Sequence, residues 1–207
     1  MPNLVAHLLE AETRQAWGQF KHAPVVTANV TLRRAAPLID LGLGYQCYWW
    51  GSEHWADFVV ADWTSASRHD RERSTVLTFY GSNATPAAEI QSARIKLLQT
   101  PFAEYENTLR ADLSRVLAGT DFDFDRDVTA IYVYRWGHGM VMPTLGFPFG
   151  TPTVQGRQII RTLAPRHRAR RLLGCIAFAG QDVESSPSME SAIASGWRTC
   201  QEILTQL

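Results

Sequence analysis

From Val25 to Leu32 the chain alternates. Val26, Ala28, Val30 and Leu32 are apolar, and Thr27, Asn29 and Thr31 between them are polar. A period of two sends successive side chains to opposite faces, so the stretch is predicted to be a half-buried strand with one polar side. Asp57–Asp62 and Ser74–Tyr80, separated by the charged turn Arg68–Arg73, predict two more strands, and Val128–Trp136 predicts another. Together these imply an antiparallel or mixed sheet. Elsewhere the period lengthens to that of a helix. Residues 4–20 predict one, with Leu4, Leu8, Ala11 and Trp17 apolar and His22-Ala23-Pro24 as its stop. Thr85–Gln99 and Phe102–Leu117 predict two more, split by Pro101. The second carries Phe102, Tyr105, Leu109, Val116 and Leu117 as an apolar stripe and ends at Gly119.

Between these elements the pattern predicts connections. Pro37–Gly44 is one, and the irregular, glycine- and proline-rich Met140–Pro152 is another; Gly137-His138-Gly139 is expected to release the backbone at the end of the Val128–Trp136 strand. Asp121–Asp125 alternates acid and aromatic but lacks the glycine and terminal glutamate of a calcium loop, so a solvated turn is predicted. Gly42-Leu43-Gly44 lacks the third glycine of a dinucleotide fingerprint and is followed by a tryptophan-rich run instead of a helix.

The C-terminal stretch has a different signature. Leu172–Ala179 is an almost uninterrupted apolar run bounded by Gly180, the pattern of a central strand buried on both faces. After a polar turn, Ser186 is placed to cap a helix with Pro187 at its first position. Met189, Ala192, Ile193, Gly196, Cys200, Ile203, Leu204 and Leu207 then recur along one helical face to the end of the chain. A strand that ends in Gly180-Gln181-Asp182 and hands over to a helix N-terminus brings together a glycine that permits close approach, a carboxylate acceptor and free amides. Open α/β sheets bind ligands at that edge. Any buried strand followed by a capped helix shares the form, so periodicity alone does not name a ligand.

Composition narrows the picture. With 45% hydrophobic residues, 207 residues suffice for one substantial core or two small ones. Twenty basic residues balance twenty acidic ones, so the charge gives no reason to expect nucleic acid as a partner. The basic cluster Arg161–Arg171, with Arg166, His167, Arg168 and Arg170, is expected to be a solvated loop. Cys47, Cys175 and Cys200 have no metal-type spacing and suggest free thiols in a cytoplasmic, reducing compartment. No apolar run approaches a transmembrane segment. Tyr45–Trp63 holds Trp49, Trp50, Trp55 and Trp63 with Tyr45, Tyr48 and Phe58, which fits either sheet core or the lining of an apolar cavity.

Phe178-Ala-Gly-Gln-Asp182, followed after a turn by Ser188-Met-Glu-Ser-Ala-Ile-Ala-Ser-Gly196, resembles the C-terminal flavin signature of the flavin-containing amine oxidase superfamily, which includes amine oxidases, carotenoid desaturases and protoporphyrinogen oxidase. The order of the remaining segments, through Tyr134-Arg-Trp-Gly-His-Gly-Met140, is similar to the second half of such an enzyme. The resemblance implies an α/β fold with a mixed or antiparallel substrate sheet and its helices in residues 1–150. Residues 151–207 would be the C-terminal portion of an FAD-binding domain, with its last strand and helix. It implies FAD as cofactor, with Gly180, Gln181 and Asp182 near its ribityl-diphosphate part and Ser188, Met189 and Glu190 facing its pyrimidine ring. Trp136 and His138, at a strand end expected to face the flavin, are the catalytic candidates, His138 for proton transfer.

Two positions depart from the family's amine oxidases. Thr27 stands where many place a lysine near the flavin, and Ser188 where they place an aromatic. Among small molecules, a bulkier apolar substrate therefore fits better than an amine, the reaction being dehydrogenation or desaturation with hydride passing to flavin. The Gly-x-Gly-x-x-Gly cradle for the FAD pyrophosphate is absent from the sequence. The chain is thus expected to act as one part of a split, hetero-oligomeric oxidoreductase completed by a chain carrying that half, or to associate with itself. A non-catalytic binding or regulatory module, or a fragment of a longer flavoenzyme, remain the alternatives.

Overall fold

The alternation in Val25–Leu32 becomes strand β1, His22–Leu32, with Val26, Ala28, Val30 and Leu32 buried and Thr27, Asn29 and Thr31 only half-buried. The computed structural model describes residue 5 and residues 7–48, 51–61, 69–82, 86–155, 158–161 and 163–206. Expectations that fall on Leu4, Trp49, Trp50, Asp62, Trp63, Arg68, Thr85 and Leu207 lie outside the described residues. The chain divides into two units, Ala23–Gly139 and the combination of Met1–His22 with Met140–Leu207.

In the first unit, β1 lies at the heart of a sheet with β2 (Gln46–Tyr48), β3 (Asp57–Val60), β4 (Thr75–Ser82) and β5 (Val128–Val141), in the order β2-β3-β4-β1-β5. β1 and β4 are antiparallel, Val25 opposite Ser82 and Leu32 opposite Thr75. β3 runs antiparallel to both β4 and β2. Thr129 donates to the Thr31 carbonyl at 3.2 Å near one end of β5, and Gly139 lies against Val25 near the other, so β5 also runs against β1. One sheet face, with Val26, Ala28, Val30, Leu32, Phe58, Leu77 and Phe79, packs with Leu97 of the Ile90–Gln99 helix and Tyr105, Leu109 and Leu113 of the Phe102–Val116 helix. Each fully buried side chain of this size contributes about 1.5–3 kcal/mol.

The described aromatic residues differ in burial. Trp55, Phe58, Phe79 and Tyr105 belong to the core, with Phe58 and Phe79 5.3 Å apart between ring centroids. Tyr48, Tyr80, Tyr132, Tyr134 and Trp136 are exposed instead.

Three expectations in this unit need correction. Pro37–Gly44 is not wholly a connection, because Ala36–Asp40 forms a short helix with Pro37 in its first turn. β5 does not end at Trp136 but runs on through Gly137-His138-Gly139 to Val141. Glycine permits it: a Cβ on Gly139 would lie 2.9 Å from the Val25 Cβ. Nor is Asp121–Asp125 a simple solvated turn. Asp123 caps a short helix, Phe124–Asp127, by accepting from the Arg126 amide at 2.8 Å. Asp127, 1% exposed, accepts from Arg126 at 2.7 Å, from the Asp123 amide at 2.9 Å and from Arg34 at 3.2 Å. The Arg126 hydrogen bond, with these others, holds the Asp127 carboxyl far below the usual carboxylate range despite its burial.

The second unit is built from smaller pieces. Its helix Ala11–Trp17 is shorter than the predicted 4–20 span, and β6 (Pro152–Gln155) pairs with β7 (Gln158–Arg161) as an antiparallel hairpin. Trp17 donates its indole N–H to the Ala169 carbonyl at 2.8 Å and stands edge-on to Phe178, centroids 4.8 Å apart. The expected buried strand at Leu172–Ala179 is not formed. The segment makes a single bridge, Leu173 to Ile176, around a turn in which Gly174 takes φ +58°, and Ile176 is exposed. A strand buried on both faces needs ladder partners on both edges, and among the described residues this unit supplies none.

The last helix also differs in detail. Ser188, not Ser186, is the N-cap: its Oγ accepts from the Ser191 amide at 3.1 Å and the helix runs Met189–Leu204. Its predicted apolar face points outward. Met189 is 75% exposed and Trp197 70%, with Ile193, Cys200 and Leu204 also exposed, whereas Ser195 and Thr199 are buried. The basic cluster is not a solvated loop either. Arg166 and Arg170, from the helix Pro165–Ala169 and its end, converge with Arg198 on Glu184. None of the described helices is long and apolar enough to cross a membrane.

Candidate functional site

In the second unit the chain turns from the Leu172–Ala179 segment into the short helix Gln181–Glu184 through Gly180, at φ +131° and ψ 173°. That region of backbone space is almost closed to residues with a Cβ, which explains a glycine with nothing crowding it. The Gly180 amide donates to Ser195 Oγ at 3.1 Å, tying the turn to the long C-terminal helix. Gln181 and Asp182 open the short helix, and Ser185, in the left-handed region at φ +57°, closes it.

Asp182 is partly exposed and its Oδ2 lies 2.9 Å from His22 Nε2. Among the described residues its other oxygen has no hydrogen-bond partner. In the sequence His22, 160 positions away, belongs to a helix stop, and no local spacing signals the pairing. Glu184 takes Arg170 at 3.1 Å and Arg198 at 3.1 Å, and Arg198 in turn donates to the Phe178 carbonyl at 3.0 Å and to Glu202 at 2.6 Å. These charge-assisted bonds lock the short helix, the long helix and the segment before Gly180 together.

The helix start at Ser188-Met189-Glu190 belongs to this same unit. A hydrogen bond from its own backbone amide, and then one from the Ser188 hydroxyl, draw the Glu190 carboxyl below its usual range. The cap and the acidic first turn are both favoured at the positive end of a helix. Gly180, Gln181, Asp182, Ser188, Met189 and Glu190 are thus carried by two consecutive helix starts of one unit. Trp136 and His138 are exposed residues of β5 in the other unit, in line with Tyr132 and Tyr134 at alternate positions. Thr27, also half-buried, faces Tyr80 across β1 and β4.

What these residues of one unit offer chemically is a partly free carboxylate beside a glycine-only turn and a helix N-terminus. This set fits a ligand that has hydroxyls for the carboxylate and a carbonyl or other electron-rich edge for the amides. A polyol-bearing, ring-carbonyl cofactor such as a flavin meets both requirements.

Comparison with known proteins agrees. The model of flavin containing amine oxidoreductases matches residues 2–204, and the chain belongs to this family. The family is one of flavin-containing oxidoreductases. Among solved structures it is similar to a protein assigned as a protoporphyrinogen oxidase from Exiguobacterium sp. 255-15, with a TM-score of 0.64 at 14% identity. That likeness covers all of this chain and 40% of the other, so the chain spans well under half the length of its structural relative. The fold class expected from the sequence is the one observed. No curated protein matches the sequence.

Proposed function

We propose that this chain supplies the substrate-facing sheet and the C-terminal flavin edge of an FAD-dependent oxidoreductase. The FAD pyrophosphate would be held by a nucleotide-binding half from outside these 207 residues. The observation that carries the proposal is the Met189–Leu204 helix, which buries Ser195 and Thr199 and turns Met189, Ile193, Trp197 and Leu204 outward. A contiguous exposed apolar stripe on a well-capped helix is a docking surface. That the structural relative is more than twice as long supports the same reading. The partner is a second chain carrying the Gly-x-Gly-x-x-Gly half; a second copy of this chain is the other candidate. The compartment proposed is the cytoplasm, in keeping with three free cysteines.

In this reading Asp182, held by His22, accepts hydrogen bonds from the ribityl-diphosphate part of the cofactor. The amides at Ser188, Met189 and Glu190 meet the ring's pyrimidine edge. Gly180 lets the backbone approach closely, and Gln181 lies between. Bound flavin supplies the hydride acceptor for dehydrogenation of a small apolar substrate. Trp136 and the neighbouring exposed tyrosines provide apolar surface for that substrate, and His138 exchanges the proton that leaves with the hydride.

Size and visible spectrum of the purified chain test the proposal. The expected result is a colourless or weakly coloured protein that associates, and that gains flavin absorbance only with a chain carrying the nucleotide-binding half. A monomer with stoichiometric flavin would overturn it. In the completed enzyme Asp182→Ala is expected to lower FAD affinity roughly tenfold or more, a charge-assisted hydrogen bond contributing about 1.5–3 kcal/mol. Unchanged flavin content would remove Asp182 from the site.

A further inference from the structure

Away from the flavin edge, in the unit Ala23–Gly139, Glu53, His54 and Glu104 bring one imidazole and two carboxylates together, with their ligand atoms all within 4.8 Å of one another. His54 is 8% exposed, and its Nε2 lies 3.1 Å from Glu104 Oε1. Two ligands bound at ~2.1 Å to a common metal at a tetrahedral angle stand ~3.4 Å apart, so the pair needs almost no movement to share an ion. The exposed Glu53 completes a three-ligand set and leaves positions for water.

The surroundings hold the histidine in place. His54 lies 4.9 Å, between ring centroids, from Tyr105 of the core. The Trp55 amide donates to Ser52 Oγ at 3.1 Å, fixing the loop. The His54 carbonyl sits where a side chain on Gly81 would be, 2.1 Å from an ideal Cβ, so β4 clamps the loop only because residue 81 is glycine.

The adjoining groove also favours a cation. The cluster opens on a groove of about 690 Å³ that runs along the Phe102–Val116 helix. Farther along it, Asp112 is 5% exposed, and its Oδ2 is buried with no hydrogen-bond partner while Oδ1 takes Arg115 at 3.0 Å. Among the groove's lining residues three carboxylates, Glu53, Glu104 and Asp112, face one guanidinium, Arg115. An unpaired buried acceptor in an acidic groove favours a cation and its bound water over an anion.

We propose that Glu53, His54 and Glu104 form a binding site for a divalent transition metal, independent of the flavin. A mixed imidazole and carboxylate set suits zinc, cobalt or manganese, whereas magnesium and calcium prefer oxygen alone. Calorimetric titration of the metal-free chain with zinc tests this. One equivalent is expected to bind, with a rise in melting temperature. Glu53→Gln and Glu104→Gln, at exposed or half-exposed positions that leave the fold intact by circular dichroism, are each expected to weaken binding at least about tenfold. The double variant is expected to abolish it. Absence of saturable zinc binding would overturn the proposal, as would unchanged affinity in the double variant, which would put zinc at other groups such as the exposed cysteines. Equal affinity for magnesium would remove His54 from the ligand set.

Discussion

The two long helices of this protein are nearly equal in length and both amphipathic, yet they use their apolar faces in opposite ways. Phe102–Val116, 15 residues, turns Tyr105, Leu109 and Leu113 into the core beneath the five-stranded sheet. Met189–Leu204, 16 residues, turns Ser195 and Thr199 inward and leaves Met189, Ile193, Trp197 and Leu204 outside. Periodicity sets which residues share a face. Which way that face points depends on whether the chain provides a second layer to receive it. The unit Ala23–Gly139 has that layer in its sheet, and among the described residues the other unit does not.

The comparison breaks most decisively at Leu109. Leu109→Ala removes a fully buried side chain and is expected to destabilise its unit by about 2–5 kcal/mol in urea unfolding; a loss under 1 kcal/mol would mean that this core is no better closed than its counterpart. In the other unit the largest single effect is expected from backbone geometry. Gly180→Ala should cost about 1–3 kcal/mol at φ +131°, although no neighbouring atom lies near the new Cβ. Calorimetry showing no change would mean that the turn relaxes freely.

Acid sharpens the contrast. The Asp127 carboxyl titrates far lower folded than the ~3.9 expected unfolded. Its contribution is therefore present in full above about pH 5, and is lost as the pH falls through 4 toward the folded value. Melting temperature is expected to drop steeply below pH 4 in the natural chain. Asp127→Asn should be less stable at pH 7 and show a flatter acid limb; parallel curves would remove Asp127 from the account. The smallest effect on folding is expected at Trp197. Trp197→Glu should shift the chain's own stability by less than ~0.5 kcal/mol, as at other exposed sites, while weakening association in analytical ultracentrifugation. A large loss of stability would show that the stripe is already covered.

Local pattern carried much of this fold. Val26 to Leu32 could be assigned a face from alternation alone, and Phe102–Val116 ends one residue from its predicted limit, because Pro101 and a regular stripe define it locally. The Leu172–Ala179 strand failed for the opposite reason: its composition is that of a buried strand, but strands exist only with neighbours. The helix cap slipped from Ser186 to Ser188 because three serines and a proline stand within four positions, and periodicity resolves no finer than that. Gly180, Asp182 and the Ser188 helix start were legible as a motif. His22 on Asp182 and Glu104 beside His54 were not, since 160 and 50 residues separate the partners and only tertiary structure joins them.

The lone bridge between Leu173 and Ile176 carries a consequence for amide exchange. Among the described residues, the amides of Gly174, Cys175, Ala177, Phe178 and Ala179 donate to no backbone carbonyl, whereas β4 is laddered on both sides by β3 and β1. In deuterated solvent those five amides are expected to exchange near the unprotected rate, and those of Thr78 and Phe79 only through global opening. If parallel strands from a nucleotide-binding half flank the segment, its exchange will slow by orders of magnitude on assembly. An apolar run that is unpaired in the lone chain would then become the clock by which docking is read, residue by residue, with no label and no assay of activity.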